Sequence, residues 1–345
     1  MINVLDSKVG CFSDVHIGLY QDSPVWHDIC LEFAKNVSSF YKKNKIKHII
    51  IPGDIFHNRS EISVKTIHTA KLFFDYFKDF HIIISAGNHD SFFKERSDIN
   101  SISIFDGWSN ITIVDLKPLI LNTKDNKKSV SFIPWGISCS DIPKTDICFG
   151  HFEINTFYMN TYKSCEKGEE SKNLLEKSKF IISGHFHKKD HRKYSNGQIL
   201  YVGSPYQHNF GDYGDDRGFY IIDLDKDKFE FYKNDFSPKF VKLDSTSIDK
   251  DNIENDIKNN FISLTLNSNE SEQKINNILN KIHSFKPNNI KTEYIDVTEV
   301  KNNNENQYDS VDILKNIYDY VETLDIDCKE EVVNYLTETY NKTNK

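Results

Sequence analysis

Five short apolar runs in this sequence end in residues that can bind a metal ion. In the clearest of them, the stretch FIISGHFHKKD, a glycine closes the run, and His185 and His187 follow with one residue between them. A lone pair of this kind is often only a turn with a surface histidine. The groups that close the five runs are, in chain order, Asp14 and His16; Asp54; Asn88, His89 and Asp90; His151; and His185 and His187.

The chemistry of these groups indicates the kind of metal. Two carboxylates, one amide and four imidazoles, with no thiolate, suit manganese or iron better than a structural zinc site. Seven protein ligands are too many for one ion that must keep an open position. They suit two ions about 3.5–4 Å apart, bridged by a carboxylate. Five such run ends in one chain are hard to produce by chance, so the sequence predicts a two-metal site.

The elements that carry these groups are predicted to bring them together. Near-continuous apolar runs suit strands buried on both faces, and ligands of open α/β sheets gather beyond the carboxyl ends of such strands. Glycine just before a ligand allows the backbone to turn sharply. The five predicted strands lie at 8–14, 47–54, 80–88, 146–151 and 179–185.

Helical spacing separates the strands. It is found over 25–43 and over 61–78, where Ile67, Ala70 and Phe74 recur at three and four residues. We therefore expect a layered α/β fold with helices outside and mixed sheets inside. After residue 244, segments 261–267, 271–284 and 290–297 predict a small β-α-β unit, 301–307 a polar linker, and 309–324 and 328–341 two amphipathic helices.

Composition and charge limit the ligands and the cellular compartment to be expected for this protein. The net charge of −8 is carried by the C-terminal third, because residues 1–243 hold 32 basic and 31 acidic side chains. The acidity therefore does not exclude a nucleic-acid ligand. No apolar run is long enough to span a membrane, and no secretory signal is visible. Cys11 and Cys148 lie in strand-like runs, which predicts buried, reduced thiols and a cytoplasmic protein, in the host cytoplasm if it is viral.

The motifs carry a family resemblance. SDVHIG, GDIFH, AGNHDS, FGHFE and SGHFH resemble the five motifs of the calcineurin-like metallophosphoesterases. GDIFHNR and YVGSPYQHNFGD are similar to the nuclease subunit of SbcCD-type double-strand-break repair complexes, including bacteriophage recombination nucleases. The resemblance implies a four-layered α/β/β/α nuclease core over 1–243, a capping domain over 244–300, a linker over 301–308 and a helical hairpin over 309–345.

The resemblance also implies roles for individual residues. One ion would be held by Asp14, His16 and His187, the other by Asn88, His151 and His185, and Asp54 would bridge them. His89 would be the acid toward the leaving oxygen, oriented by Asp90, with His57 near the phosphate. The ions would be two Mn²⁺, with Mg²⁺ or Fe²⁺ as alternatives. Seven histidines match no ligand motif: His27, His48, His68, His81, His191, His208 and His283.

The implied activity is that of an exonuclease and single-strand endonuclease that works with a coiled-coil ATPase, which the helical hairpin would bind. A homodimer is implied as well, with 25–43 and 92–108 as candidate surfaces. Basic residues beside the motifs are candidate DNA contacts, although such residues are as often simply solvated. They are Arg59, Arg96, Lys188, Lys189 and Arg192.

Two other functions remain open at this point. A stand-alone phosphatase or small-nucleotide phosphodiesterase would account for the motifs over 8–215, but it would leave the C-terminal region without a role. A non-catalytic binding module on the same fold fits poorly, because no ligand position is replaced in this sequence.

Overall fold

The computed structural model describes residues 4–159 and 163–295, and beyond these only positions 329, 332, 333 and 335, which are helical. The described strands form three sheets. In chain order they are β1 (Val4–Leu5), β2 (Lys8–Cys11), β3 (His48–Ile51), β4 (His81–Ser85), β5 (Ile111–Val114), β6 (Leu119–Thr123), β7 (Ser129–Ile133), β8 (Ile147–His151), β9 (Phe180–Gly184), β10 (Asp190–Tyr194), β11 (Gly197–Tyr201), β12 (Gly218–Asp223), β13 (Lys228–Lys233), β14 (Phe240–Asp244), β15 (Phe261–Asn267) and β16 (Asn289–Ile295).

Two large sheets form the centre of the fold. Their strand orders are β1-β6-β7-β8-β9-β11-β10 and β13-β12-β2-β3-β4-β5. Because side chains alternate across a strand, β3 contributes buried side chains to both faces of its sheet. Ile50 packs in the core between the two sheets, whereas Ile49 and Ile51 pack toward the helices. All five strands predicted to carry ligands are present, and they are β2, β3, β4, β8 and β9.

Helices cover the outer faces, which confirms the predicted four-layered core. The α-helices are Pro24–Lys43, Val64–Asp75, Ser171–Leu175, Ile253–Ile257 and Glu272–Ser284. The 3₁₀ helices are Ser101–Phe105, Lys124–Asn126, Cys139–Asp141, Phe210–Asp212 and Ser247–Asp249. The first two α-helices pack on β2, β3 and β4, while Ser171–Leu175 packs outside β9 and β11. Leu19–Asp22 is a tight turn in which Tyr20, Gln21 and Asp22 have left-handed backbone angles.

One detail of the predicted helix packing is wrong. Ile67 was expected on the buried face of its helix, but 41% of the residue is exposed. Phe73 takes that place beside Phe74 in the core. The buried stripe is thus rotated around the helix relative to the predicted one.

The small third sheet has the order β14-β15-β16, and β14 runs parallel to β15. The helix Glu272–Ser284 packs Ile278 and Ile282 against β15, as the predicted β-α-β pattern requires. Because β14 begins at Phe240, this sheet starts before the predicted domain boundary, and the division into domains stays a prediction. The linker and most of the hairpin lie outside the described residues. No helix of the described part of the chain has the length and apolar character needed to cross a bilayer.

Candidate metal centre

The carboxyl ends of the five predicted strands meet where the two large sheets face each other. In one sheet β2, β3 and β4 are parallel neighbours, and in the other β8 and β9 are. The residues that follow these strands point into one site. It contains all seven predicted ligands, namely Asp14, His16, Asp54, Asn88, His151, His185 and His187.

A first cluster of these side chains lies after β2. Nε2 of His16 lies 3.1 Å from Nε2 of His187, so both ring nitrogens face the same point. Oδ2 of Asp54 is 3.6 Å from Nε2 of His16. Asp14, His16 and Asp54 each offer a ligand atom within 4.8 Å of the others. We call Asp14, His16 and His187, with Asp54, the first cluster.

A second cluster surrounds Asn88. Its Oδ1 lies 2.8 Å from Nε2 of His151 and 2.9 Å from Nδ1 of His185. Oδ2 of Asp54 is 3.3 Å from Nε2 of His151. We call Asn88, His151 and His185, with Asp54, the second cluster. The same carboxylate oxygen therefore reaches both clusters, which is the geometry expected of a bridging ligand.

The backbone at these ligands is strained. The φ angles of Asp14, His16, Asp54 and His185 are 58°, 50°, 55° and 91°. Residues other than glycine avoid this left-handed region, and strain of about 1–3 kcal/mol per residue concentrates at functional sites. This left-handed backbone conformation turns the side chains away from the regular strand geometry and directs them toward a common point. Gly53, at φ 100°, allows the turn that leads into Asp54.

Glycines also allow the chain segments to approach each other closely. A Cβ atom on Gly87 would lie 2.2 Å from Oδ1 of Asp54, and one on Gly184 would lie 2.2 Å from Oγ of Ser13. Any larger residue at position 87 would therefore push the bridging carboxylate aside. Glycine before the predicted ligands therefore has two roles: it allows the backbone to turn, and it leaves room for a neighbouring segment to approach closely.

Electrostatics favours the protonation states that metal ligands need at His185, His187 and Asp54, and opposes them at Asp14 and His151. Burial lowers the pKa of His185 to about 3 and that of His187 to about 4, so both rings are neutral near pH 7. Burial raises the pKa of Asp14 to about 7. Burial alone would also raise the pKa of Asp54, but the neighbouring His151 and His16 hold it well below its usual value. Against the effect of burial, Asp54 raises the pKa of His151 to about 9.

These residues fit a pair of divalent ions. A bound metal needs neutral imidazoles and ionised carboxylates, and it displaces any proton that remains on them. Imidazole nitrogens that face each other at 3.1 Å in a buried site can share one cation, with Asp54 as a further oxygen ligand. The nitrogen and oxygen donors without thiolate remain those that suit manganese or iron.

Of the three predicted catalytic residues, His57 and His89 are half-buried beside the first cluster, whereas Asp90 is fully buried. The rings of His89 and His16 are 4.7 Å apart, and the rings of His57 and His89 stack at 5.5 Å. Nδ1 of His89 donates to the backbone carbonyl of His57 at 2.7 Å, so the carbonyl fixes the tautomer of the His89 ring. Burial lowers the pKa of His57.

The orienting role predicted for Asp90 needs correction. Its buried carboxylate accepts the backbone N–H groups of Asp54, Ile55, Phe56 and Gly87 at 2.9–3.0 Å. With four donors already bound, it has no contact with the His89 ring. Asp90 thus positions the segment that carries Asp54, and the carbonyl of His57 orients His89.

The candidate DNA contacts are partly engaged within the chain. Arg192 binds Asp190 at 2.8 Å, and Arg96 binds Asp98 at 3.1 Å. Nζ of Lys188 is 3.9 Å from Oδ1 of Asp215, and Lys189 lies over the ring of Phe231. Arg59 is half-exposed beside the motif that carries His57. DNA contact by any of these residues stays a prediction.

Two residues of the centre were not predicted from the sequence. Trp135, in the loop after β7, lies with its ring 5.3 Å from that of His185 and 5.8 Å from that of His151. His208, which matched no ligand motif, places Nδ1 3.1 Å from Nδ1 of His187. Two signals for His208 were available: it lies within YVGSPYQHNFGD, one of the stretches that carry the resemblance, and it follows β11, whose carboxyl end lies beside that of β9.

The chain is similar to several known proteins. The chain is 28% identical over 240 residues to exonuclease subunit 1 of Enterobacteria phage T4, which covers 66% of this chain and 68% of the phage protein. A dimetal phosphatase from Danio rerio superposes with a TM-score of 0.42 and 10% identity, covering 67% of this chain and 96% of that one. An archaeal phosphodiesterase superposes with a TM-score of 0.37 and 13% sequence identity, covering 66% of this chain and 99% of that one.

TM-scores below 0.5 do not establish a shared fold, so the assignment rests on sequence. Residues 7–189 match the calcineurin-like phosphoesterase family. This match spans more than half of the chain and contains the positions of all seven predicted ligands. The chain therefore belongs to the calcineurin-like phosphoesterase family.

Proposed function

We propose that this protein is a nuclease that hydrolyses DNA phosphodiester bonds with two Mn²⁺ ions, as one subunit of an SbcCD-like complex. The observation that carries the proposal is the position of Asp54, whose Oδ2 lies within 3.6 Å of His16 in the first cluster and within 3.3 Å of His151 in the second. The likeness to a phage exonuclease subunit supports DNA as the substrate.

When bound, such a pair of ions would supply a hydroxide near neutral pH and would neutralise the phosphate oxygens. The first cluster and the second cluster would each hold one ion. Asp90 fixes the backbone of the bridging segment through its four accepted hydrogen bonds, so that Asp54 does not have to reorganise during a reaction.

In this proposal His89 acts as the general acid toward the leaving 3′ oxygen. Its Nδ1–H is held by the carbonyl of His57, so Nε2 is the nitrogen that can exchange a proton with substrate. His89 is half-buried, so part of the residue is exposed to solvent, as contact with a substrate would require. A positioned imidazole of this kind contributes a rate factor of about 10²–10⁴.

The partners follow from the same proposal. We assign segment 309–345, predicted from the sequence to be a helical hairpin, to the binding of a coiled-coil ATPase, and the capping unit to the orientation of DNA. The phage relative is named as a subunit, which supports a partner chain. Segment 92–108 exposes Phe92, Ile99 and Ile104, which supports it as a homodimer surface. The other candidate, helix 25–43, turns its large apolar side chains into the core.

The proposal is tested by comparing a linear DNA duplex, a single strand and a chromogenic small phosphodiester as substrates in MnCl₂. We expect both DNA substrates to be cut faster than the chromogenic ester. His89→Asn should lower DNA cleavage by about 10²-fold or more while keeping the bound metal, and His68→Asn, at an exposed histidine, should behave as wild type. A clear preference for the small ester would instead indicate a small-nucleotide phosphodiesterase.

A further inference from the structure

His208 is fully enclosed beside the first cluster, although it lies outside the residues that match the family. Its Nδ1 is 3.1 Å from Nδ1 of His187. The other nitrogen of His187, Nε2, faces Nε2 of His16 at the same distance of 3.1 Å. His187 is thus held between His16 on one side and His208 on the other.

The donors around His187 decide which nitrogen binds the metal. His16 and Asp54 lie on the Nε2 side, and the Nδ1 side offers His208 alone among the described neighbours. An ion in the first cluster therefore takes Nε2, and the neutral ring of His187 carries its proton on Nδ1. A metal-binding histidine usually donates this second N–H to a fixed acceptor, which sets its tautomer and its orientation.

The ring of His208 is itself held in place. Its backbone N–H donates to Oδ2 of Asp212 at 2.7 Å, and its backbone carbonyl accepts from the hydroxyl of Tyr20 at 2.5 Å. Asp212 is fixed in turn by Arg217, whose Nη2 donates to Oδ1 at 2.7 Å. The rings of His16, Trp26 and Tyr206 pack around the His208 ring, with centroids 5.1, 5.5 and 5.7 Å from its own. The left-handed turn Leu19–Asp22 thus has a role, because it brings Tyr20 to this point.

We propose that His208 is a positioning residue for the first metal ion: its Nδ1 accepts the Nδ1–H of His187 and so keeps Nε2 of His187 directed at the ion. The inference rests on the metal-binding part of the proposed function and not on the DNA substrate. With Nδ1 as acceptor, His208 carries its own proton on Nε2. That nitrogen is buried without a hydrogen-bond partner, so the contact with His187 is the only hydrogen bond that the described residues offer to the His208 ring.

The test measures metal binding, so it does not depend on nuclease activity. Titrations with MnCl₂ followed by calorimetry would compare wild type, His208→Leu, His208→Asn and the exposed control His68→Leu. Removal of a hydrogen-bond partner of a metal ligand typically weakens binding by about 10–100-fold. We expect this loss for one of the two ions in His208→Leu. An asparagine can place its amide oxygen near the position of Nδ1, so His208→Asn should recover most of the affinity.

A second measurement covers the case in which the leucine variant fails to fold. In wild-type protein with ¹⁵N-labelled histidine and diamagnetic Zn²⁺, NMR should show His187 with a proton on Nδ1 and metal on Nε2. Metal on Nδ1 of His187 would overturn the inference. So would unchanged affinity for both ions in a folded His208→Leu. If both His208 variants lose one ion completely, as His187→Ala should, His208 is a ligand and not a positioning residue.

Discussion

Replacement of Gly87 by alanine should disable the bridge between the two metal sites without removing any ligand. The added Cβ would lie 2.2 Å from Oδ1 of Asp54 and 2.5 Å from its backbone nitrogen. An ordinary contact begins at 3.4 Å, so the carboxylate must move by about 1.2 Å. Because the carboxylate is rigid, Oδ2 moves with Oδ1 and leaves its position between His16 and His151. A misplacement of about 1 Å in a catalytic site can cost about 10² in rate.

The assay for Gly87→Ala combines calorimetric titration of MnCl₂ with cleavage of a linear duplex. We expect binding of both ions to weaken and cleavage to fall by about 10²-fold. Gly107→Ala is the matched control, since nothing lies within 4 Å of its added Cβ. At φ 84° it should lose about 1–2 kcal/mol of stability from backbone strain and keep its metals. A Gly87→Ala protein with wild-type affinity for both ions would refute the close contact with Asp54.

Three other outcomes follow from the same geometry. Asp54→Ala should lose both ions, because its carboxylate serves both clusters, whereas Asn88→Ala should weaken mainly one; equal metal content in wild type and Asp54→Ala would contradict the bridge. Metal affinity should rise with pH, since the ion of the first cluster must displace a proton from Asp14 (pKa about 7) and the ion of the second cluster one from His151 (pKa about 9): by about tenfold per pH unit below 7 for the first ion and below 9 for the second, and little above those values; pH-independent affinity of both ions between 6 and 8 in calorimetry would oppose this. Truncation after Asn306 should leave cleavage of short single strands intact and abolish binding of the partner ATPase in a pull-down; retained binding would show that the tail is not the docking element.

The convergence of the predicted ligand side chains on one site could be predicted because their signal is local. Each predicted ligand lies at or just after the end of an apolar strand. The carboxyl ends of parallel strands lie at the same edge of a sheet, and this does not depend on the sequence of the connecting segments. The glycines Gly53 and Gly184 could be recognised in the same way, because each directly precedes a predicted ligand in the sequence. The side chains of the second helix were less certain, because an apolar stripe such as Ile67–Phe74 allows more than one rotation against the sheet.

The missed features depend on contacts that no local pattern records. His208 reaches His187 across 21 residues, through a loop shaped by hydrogen bonds to Tyr20 and Asp212. The role of Asp90 depends on the direction of its carboxylate, which points to backbone N–H groups and away from the adjacent His89. The direction in which a side chain points is set by the folded loops and cannot be read from the spacing of residues in the sequence.

The central claim is that two ions lie at this centre and share Asp54. Crystals soaked in MnCl₂ and measured at the manganese absorption edge would test it most directly. The account predicts two anomalous peaks about 3.5–4 Å apart, both in contact with Asp54, one beside His16 and His187 and the other beside His151. A single peak, or a pair of peaks of which only one touches Asp54, would contradict it.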